Sequence, residues 1–210
     1  MSGAIYDPCH AAGGMTAYEW ERDPKRIGFI LARYKFVAKM LEGLERVLEV
    51  GCADGFGTRI VRQSVGRMSA LDIDAKSIME AIEANKDTKW GVDYHVHDYC
   101  RTMFPGAFDA VYALDVLEHL HHSEERAFLL NMRQQADVAI IGCPSLESQA
   151  YASELSKQGH INCKTGAALK NTLMQYWRNV FMFGMNDETL HTGFAPMVQY
   201  RLALCVTPWH

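Results

Sequence analysis

Val47-Leu-Glu-Val-Gly-Cys-Ala-Asp-Gly-Phe-Gly-Thr58 is the stretch on which the fold turns. A run of buried-type residues, from Arg46 to Val50, predicts a strand. It feeds a turn carrying Gly51, Gly55 and Gly57, and a helix is expected from Thr58. Glycine at such a turn permits positive φ and lets backbone approach a ligand closely. The N–H groups of the following helix end can meet a carboxylate or phosphate. Twenty-one residues after Gly51, at the end of a second predicted strand (Ser69–Ile73), stands Asp72. A carboxylate there can accept both hydroxyls of a ribose. Asp98 follows a third strand (Val92–Val96). All three points fall at strand carboxyl ends, where open α/β sheets bind ligands.

Outward from this core the alternation continues. Helices are expected at 75–84 and after Ser123, and strands at Phe108–Leu114 and Val138–Cys143. Upstream, Asp23-Pro24 predicts a helix start, with Asp23 as cap, and Gly43 closes that helix. Five strands alternating with helices predict a parallel sheet with right-handed crossovers. In the last third, a helix capped by Thr165 and strands at 180–183 and 200–206 are expected. The connection from Pro144 to Cys163, and one of about 15 residues before Tyr200, are longer than ordinary loops.

At 210 residues the chain has room for one ordinary domain, taken as 1–210. Its net charge of −4 mixes both signs and includes no basic arm, so no nucleic-acid partner is expected. No apolar run is long enough for a membrane span and no leader precedes the first strand, so no membrane partner is expected either. Six scattered cysteines without CxxC spacing read as reduced thiols, which predicts a cytoplasmic protein. Residues 1–22 have turn composition yet carry Tyr6, Tyr18 and Trp20, and are read as an N-terminal lid segment.

Glu49-Val-Gly51-Cys-Ala-Asp-Gly55, Leu71-Asp-Ile-Asp74 and Phe108-Asp-Ala-Val-Tyr-Ala-Leu-Asp-Val-Leu-Glu-His119 together resemble the motifs of the class I S-adenosylmethionine (SAM)-dependent methyltransferases. The group containing the ubiquinone-biosynthesis O-methyltransferases is the most similar. The resemblance covers roughly residues 45–145, and Ala53 departs from it where the family usually has glycine. It implies a Rossmann-like α/β fold: a seven-stranded, mostly parallel sheet, helices on both faces, and an antiparallel last strand. It also implies SAM as cofactor. Gly51, Ala53 and Gly55 would lie against its methionine part, oriented by Glu49. Asp72 and Ile73 would hold the ribose side, Asp98 and Tyr99 the adenine, and Leu114 and Asp115 the sulfonium and amino end.

Methyl transfer needs an aligned nucleophile and a dry site more than covalent help. A hydroxyl acceptor must also lose a proton, for which histidine is suited near neutral pH. His119, His160 and His191 are the catalytic candidates. The acceptor is expected to be a small polar molecule, with a sugar or phosphorylated metabolite favoured by the Asn/Asp/Glu/His-rich loops. His119, His121 and His122 are too tightly spaced for a metal frame, so no metal is expected. Arg33 reads as part of a solvated helix face. An NAD-dependent oxidoreductase would share the first turn and the ribose acid, but expects GxGxxG rather than the spacing of Gly51, Gly55 and Gly57. A non-catalytic SAM-binding subunit is the other alternative. The oligomeric state is not fixed by sequence, and a homodimer is left open.

Overall fold

Strand β1 (Arg46–Val50) is buried along almost its whole length, as a strand must be when it lies mid-sheet under helices on both faces. Leu48 and Val50 face one core. Val47 faces the other, where Glu49 also points. The computed structural model describes residues 13–86, 88–193 and 197–209; Tyr6 and Cys9 lie outside them. Around β1 stand α1 (Gly14–Arg22), α2 (Lys25–Met40), α3 (Thr58–Arg62), β2 (Arg67–Asp72), α4 (Ala75–Asn85), β3 (Asp93–Val96) and β4 (Ala110–Leu114). A 3-10 turn at Leu117–His119 leads to α5 (His122–Gln135) and β5 (Val138–Pro144). Then come a second 3-10 segment (Glu147–Tyr151), α6 (Glu154–Gly159), α7 (Gly166–Leu173), β6 (Trp177–Asn186), β7 (Thr189–His191) and β8 (Tyr200–Pro208).

The strands form one sheet in the order β3-β2-β1-β4-β5-β8-β6-β7. β1 to β5 pair in parallel, and β8 runs antiparallel between β5 and β6. One core packs the sheet against α5 and α7, through Phe128, Leu129, Met132, Leu169, Leu173 and Trp177. The other packs it against α2 and α3, through Tyr34, Val37, Ala38, Leu41 and Val61. The strand order reverses between β1 and β4, whose first links go to opposite sides of the sheet. Their carboxyl ends therefore flank a crevice.

Among the described residues the sheet has eight strands, not the seven expected. The addition is β7, three residues paired back onto β6 through a turn in which Asp187 has φ +50°. Three residues are too few for an alternating pattern to register. The residues Gly14 to Arg22, read as turn-rich, are helical. The long connection after β5 contains two short polar elements whose sequences lack an apolar stripe. Two caps also differ. α2 starts at Lys25 with Pro24 at the cap rather than Asp23. α5 starts at His122, before Ser123, and the Glu124 carboxylate accepts the His121 N–H at 3.2 Å. Thr165 caps α7 as expected, accepting from Ala168 N at 3.2 Å. Among the described residues, no helix is long and apolar enough to cross a membrane, and Cys52, Cys100, Cys143, Cys163 and Cys205 are free thiols.

Candidate active site

The turn after β1 bends through three left-handed residues: Gly51 at φ +82°, Ala53 at +47° and Gly55 at +69°. At Gly51 a side chain is excluded twice over, since a Cβ would also sit 2.2 Å from Val116 Cγ2. Ala53 bears a Cβ in a conformation that costs an L-residue about 1–2 kcal/mol. Its N–H donates to Asp72 Oδ2 at 2.8 Å, which fixes the strained residue against the tip of β2. The other oxygen, Asp72 Oδ1, accepts from Asp74 N at 2.9 Å. Asp74 in turn caps α4, accepting from Lys76 N and Ser77 N. A carboxylate has about four acceptor sites, so Asp72 keeps capacity for two hydroxyls. Beside it Ile73 leaves 68% of its surface exposed, an apolar wall at the crevice lip.

Glu49 lies beneath the turn, fully buried, and accepts from the Tyr34 hydroxyl at 2.9 Å. Burial pushes its carboxyl up from 4.5 to about 7, against the opposing effect of hydroxyls from Thr58, Tyr112 and Tyr34. Above the turn, Asp54 holds α1. Its Oδ2 accepts from Thr16 N at 2.8 Å and its Oδ1 from Thr16 Oγ1 at 3.2 Å. Residues 13–22 of the segment read as a lid thus stand on the glycine turn itself.

Asp115 follows β4 with φ +56°, another left-handed residue at a strand tip. Both its oxygens accept from Arg33 Nη1, at 3.0 and 2.9 Å. The guanidinium lies over the Tyr200 ring, 3.8 Å from its centroid. Burial works against the charge of Arg33, but Asp115 outweighs it and holds the group above its ordinary value. Arg33 is therefore no solvated face residue. Sequence periodicity puts it at the border of the α2 stripe and cannot show that Asp115, 82 positions away, faces it. Because Asp115 keeps 37% of its side-chain surface in solvent, Arg33→Ala is expected to cost about 2 kcal/mol, less than a fully buried pair. Arg33→Lys should recover only part of this, lacking the planar stack on Tyr200. Urea unfolding of the three proteins checks it.

Glu118, one turn beyond Asp115, is 1% exposed, and among the described residues neither of its oxygens has a hydrogen-bond partner. Burial, and then the charge of Asp115, push its carboxyl well above the ordinary range. His119 Nε2 lies 4.0 Å from Glu118 Oε1. The His119 and His160 rings meet edge to face at 5.1 Å between centroids. His160 comes from the connection after α6. It is held there by Asn162, whose N–H donates to the Glu118 carbonyl at 2.9 Å. Lys164 bonds Asn162 Oδ1 and pairs with Glu125 at 2.8 Å, both charged side chains being largely buried. The structure thus brings Asp115, Glu118, His119 and His160 together.

It does not bring in His191. That residue is on β7, four strands from β4, roughly 19 Å at ordinary strand spacing. Both ring nitrogens are committed: Nδ1 accepts from Gly193 N at 3.0 Å and Nε2 faces Asn186 Oδ1 at 2.6 Å. His191 organises the β6–β7 turn. Tyr99 does not line the crevice either. It is 3% exposed, packed edge-on to Phe128 and bonded toward Gln135, so its aromatic ring is core. Leu114 likewise buries its side chain in the α2-side core and offers only backbone at the β4 tip. Asp98 is at the β3 end, partly exposed, accepting from Cys100 N at 3.1 Å and pairing with Arg101 at 3.0 Å. A hollow of about 280 Å³ lies at Lys170, Met174 and Asn179–Phe181. Asn179 and Val138 both pair with Val206, which puts this hollow at the opposite edge of the sheet from the crevice.

Comparison with known proteins agrees with this geometry. Residues 47–136 match the model of a methyltransferase domain. The ubiquinone biosynthesis O-methyltransferase of Chromobacterium violaceum is 30% identical over 107 residues, covering 50% of this chain and 43% of that protein. The chain thus matches less than half the length of that curated relative. The N-methyltransferase NodS of Bradyrhizobium japonicum, solved with S-adenosylhomocysteine (SAH), superimposes with a TM-score of 0.68 at 15% identity, covering 96% of both chains. Magnesium protoporphyrin IX methyltransferase of Synechocystis, also solved with SAH, gives 0.66 at 18% identity over 93% of this chain and 95% of that one. Residues 47–136 thus match a methyltransferase domain, the candidate site lies at the tips of the strands inside that region, and the chain has the fold of methyltransferases solved with SAH.

Proposed function

We propose that this chain transfers the methyl group of SAM to a hydroxyl of a small polar acceptor, a sugar or phosphorylated metabolite, releasing SAH. One observation carries the reading. Asp115 at the tip of β4 is followed within four residues by Glu118 and His119, which cluster with His160, and this cluster beside the strand tips would take up a hydroxyl proton. The acceptor oxygen would stand at that cluster, in line with the S–CH3 bond, and lose its proton there. The ubiquinone biosynthesis O-methyltransferase relative supports oxygen over nitrogen as the nucleophile. The polar residues around the cluster favour a hydrophilic acceptor. In this reading α1, anchored on Asp54, is the lid that keeps water from the sulfonium.

Purified protein given methyl-labelled SAM and a fractionated pool of small molecules should yield one labelled, SAH-linked product carrying a new O–CH3 group. SAM binding without turnover of any acceptor would favour a non-catalytic subunit. Binding of NAD in place of SAM would defeat the reading outright.

A further inference from the structure

Glu118 poses a physical problem that the hydrogen bonds of the protein do not solve. A carboxyl group 1% exposed, with neither oxygen within geometric hydrogen-bond reach of a partner among the described residues, is costly to bury in its charged form. The nearest guanidinium, Arg33, spends its donor Nη1 on the two oxygens of Asp115. What does face Glu118 is a pair of imidazoles, and their protonation is readable from their partners.

His119 Nδ1 lies 2.9 Å from the carbonyl oxygen of Gly159, which can only accept, so Nδ1 carries the hydrogen. His160 Nδ1 lies 2.9 Å from Gln149 Oε1. The Gln149 amide is oriented by its own N–H, which donates to the Ser145 carbonyl at 3.2 Å, so an oxygen faces His160. In both rings the hydrogen sits on Nδ1 and Nε2 is left with a free lone pair. One ligand atom from each of Glu118, His119 and His160 lies within 4.8 Å of the others. Ligand atoms around a first-row divalent cation stand roughly 3.0–3.5 Å apart, given bonds of about 2.0–2.2 Å. Small side-chain rotations close that gap. A carbonyl or amide oxygen that accepts Nδ1–H and leaves Nε2 to the metal is the usual outer support of a metal-binding histidine.

We propose that Glu118, His119 and His160 form a binding site for a divalent transition-metal cation, with two imidazole nitrogens and one carboxylate as protein ligands. Nitrogen-rich donors of this kind favour Zn²⁺, Co²⁺ or Ni²⁺ over Ca²⁺, Mg²⁺ or Mn²⁺. Three protein ligands leave coordination positions open. Resting on the methyl-transfer reading above, an open position takes the acceptor oxygen. With both imidazole lone pairs and the carboxylate spent on the cation, the cation replaces the cluster as the group that ionises the acceptor O–H, and the proton passes to solvent. The O–CH3 bond then forms as the S–CH3 bond breaks, and SAH leaves. The substrate class narrows accordingly, to acceptors whose reactive hydroxyl has a second oxygen placed to chelate.

The full chain, dialysed against a chelator and then titrated with Co²⁺, should bind one cation per chain and develop the visible absorption of a nitrogen-ligated site. Glu118→Gln, His119→Ala and His160→Ala should each weaken that binding by at least about 100-fold. Gln149→Leu, which frees the His160 ring without removing a ligand, should weaken it by about 10-fold. His160 comes from a surface connection, so H160A keeps the test valid even where E118Q perturbs folding. Absence of Co²⁺ binding, or binding unchanged in H119A and H160A, overturns the site. SAH calorimetry on the same samples tests the cofactor reading separately. A protein that binds SAH and no Co²⁺ loses the cation site alone. One that binds Co²⁺ through these residues and no SAH keeps the site and loses the methyl-transfer reading.

Discussion

Asp72→Ala is expected to weaken SAH binding by at least about 100-fold, a loss of about 2.7 kcal/mol. Two ribose hydroxyls donating to an ionised carboxylate supply charge-assisted bonds of about 1.5–3 kcal/mol each, and alanine supplies neither. A second effect adds to the first. Asp72 accepts from Ala53 N at 2.8 Å, and Ala53 is in the left-handed region at φ +47°. Without that bond the glycine turn loses the contact that holds its strained residue against the β2 tip. Calorimetric titration with SAH measures the loss, and thermal unfolding of the same sample shows that the domain remains folded. An affinity within a few-fold of the unsubstituted protein would mean that the nucleoside lies elsewhere.

The second large effect concerns pH. Glu49 has its carboxyl raised from 4.5 to about 7 in the folded chain by burial. Below pH 4.5 the group is neutral in both folded and unfolded chains, and it takes no stability away. As pH rises from 4.5 toward 7 the unfolded chain ionises first, and the folded chain is progressively disfavoured. Above pH 7 the penalty is complete, at about 3 kcal/mol. Glu49→Gln keeps an oxygen for the Tyr34 hydroxyl and has no proton to lose. Its stability should therefore overtake the unsubstituted protein between pH 5 and pH 8, by about 3 kcal/mol in total. Urea unfolding of ligand-free protein at both pH values gives the difference. Parallel pH dependence of the two proteins would show that Glu49 ionises as freely folded as unfolded.

How far the sequence could be read depended on the range of the interactions involved. The β1–turn–α3 unit is local: its strand, its glycines and the helix start at Thr58 are set by residues next to one another. So the glycine turn and the place of Asp72 at the end of β2 could be read directly. What decides Arg33, Glu118 and His160 is not local. Arg33 finds Asp115 across 82 positions, and His119 finds Gly159 across 40. The placing of His191 is not legible either, because a histidine in a polar loop looks the same whether its ring nitrogens are free or tied to Asn186 and Gly193. The direction of the Tyr99 ring is equally illegible, because an aromatic beside a strand-end acid can turn either way, and Phe128 and Gln135 draw it inward. α1 escaped because its polar sequence buries no residue of its own and is held by side chains of other elements, Asp54 and Glu80. Glu118 carried one legible signal, an acid one helical turn past Asp115 and adjacent to a histidine. Its burial was not legible.

The placement of β8 between β5 and β6 constrains how the molecule is made. While the nascent chain emerges, every strand that carries the crevice is synthesised before residues 200–208 exist. Until they arrive, β5 presents a bare row of N–H and C=O groups along Val138–Pro144, and β6 has no neighbour on that side. A naked rim of this kind invites pairing with other chains. Vectorial synthesis therefore delivers the chemistry early and the seal late, and the closing strand is the one whose loss would leave the sheet with two sticky rims.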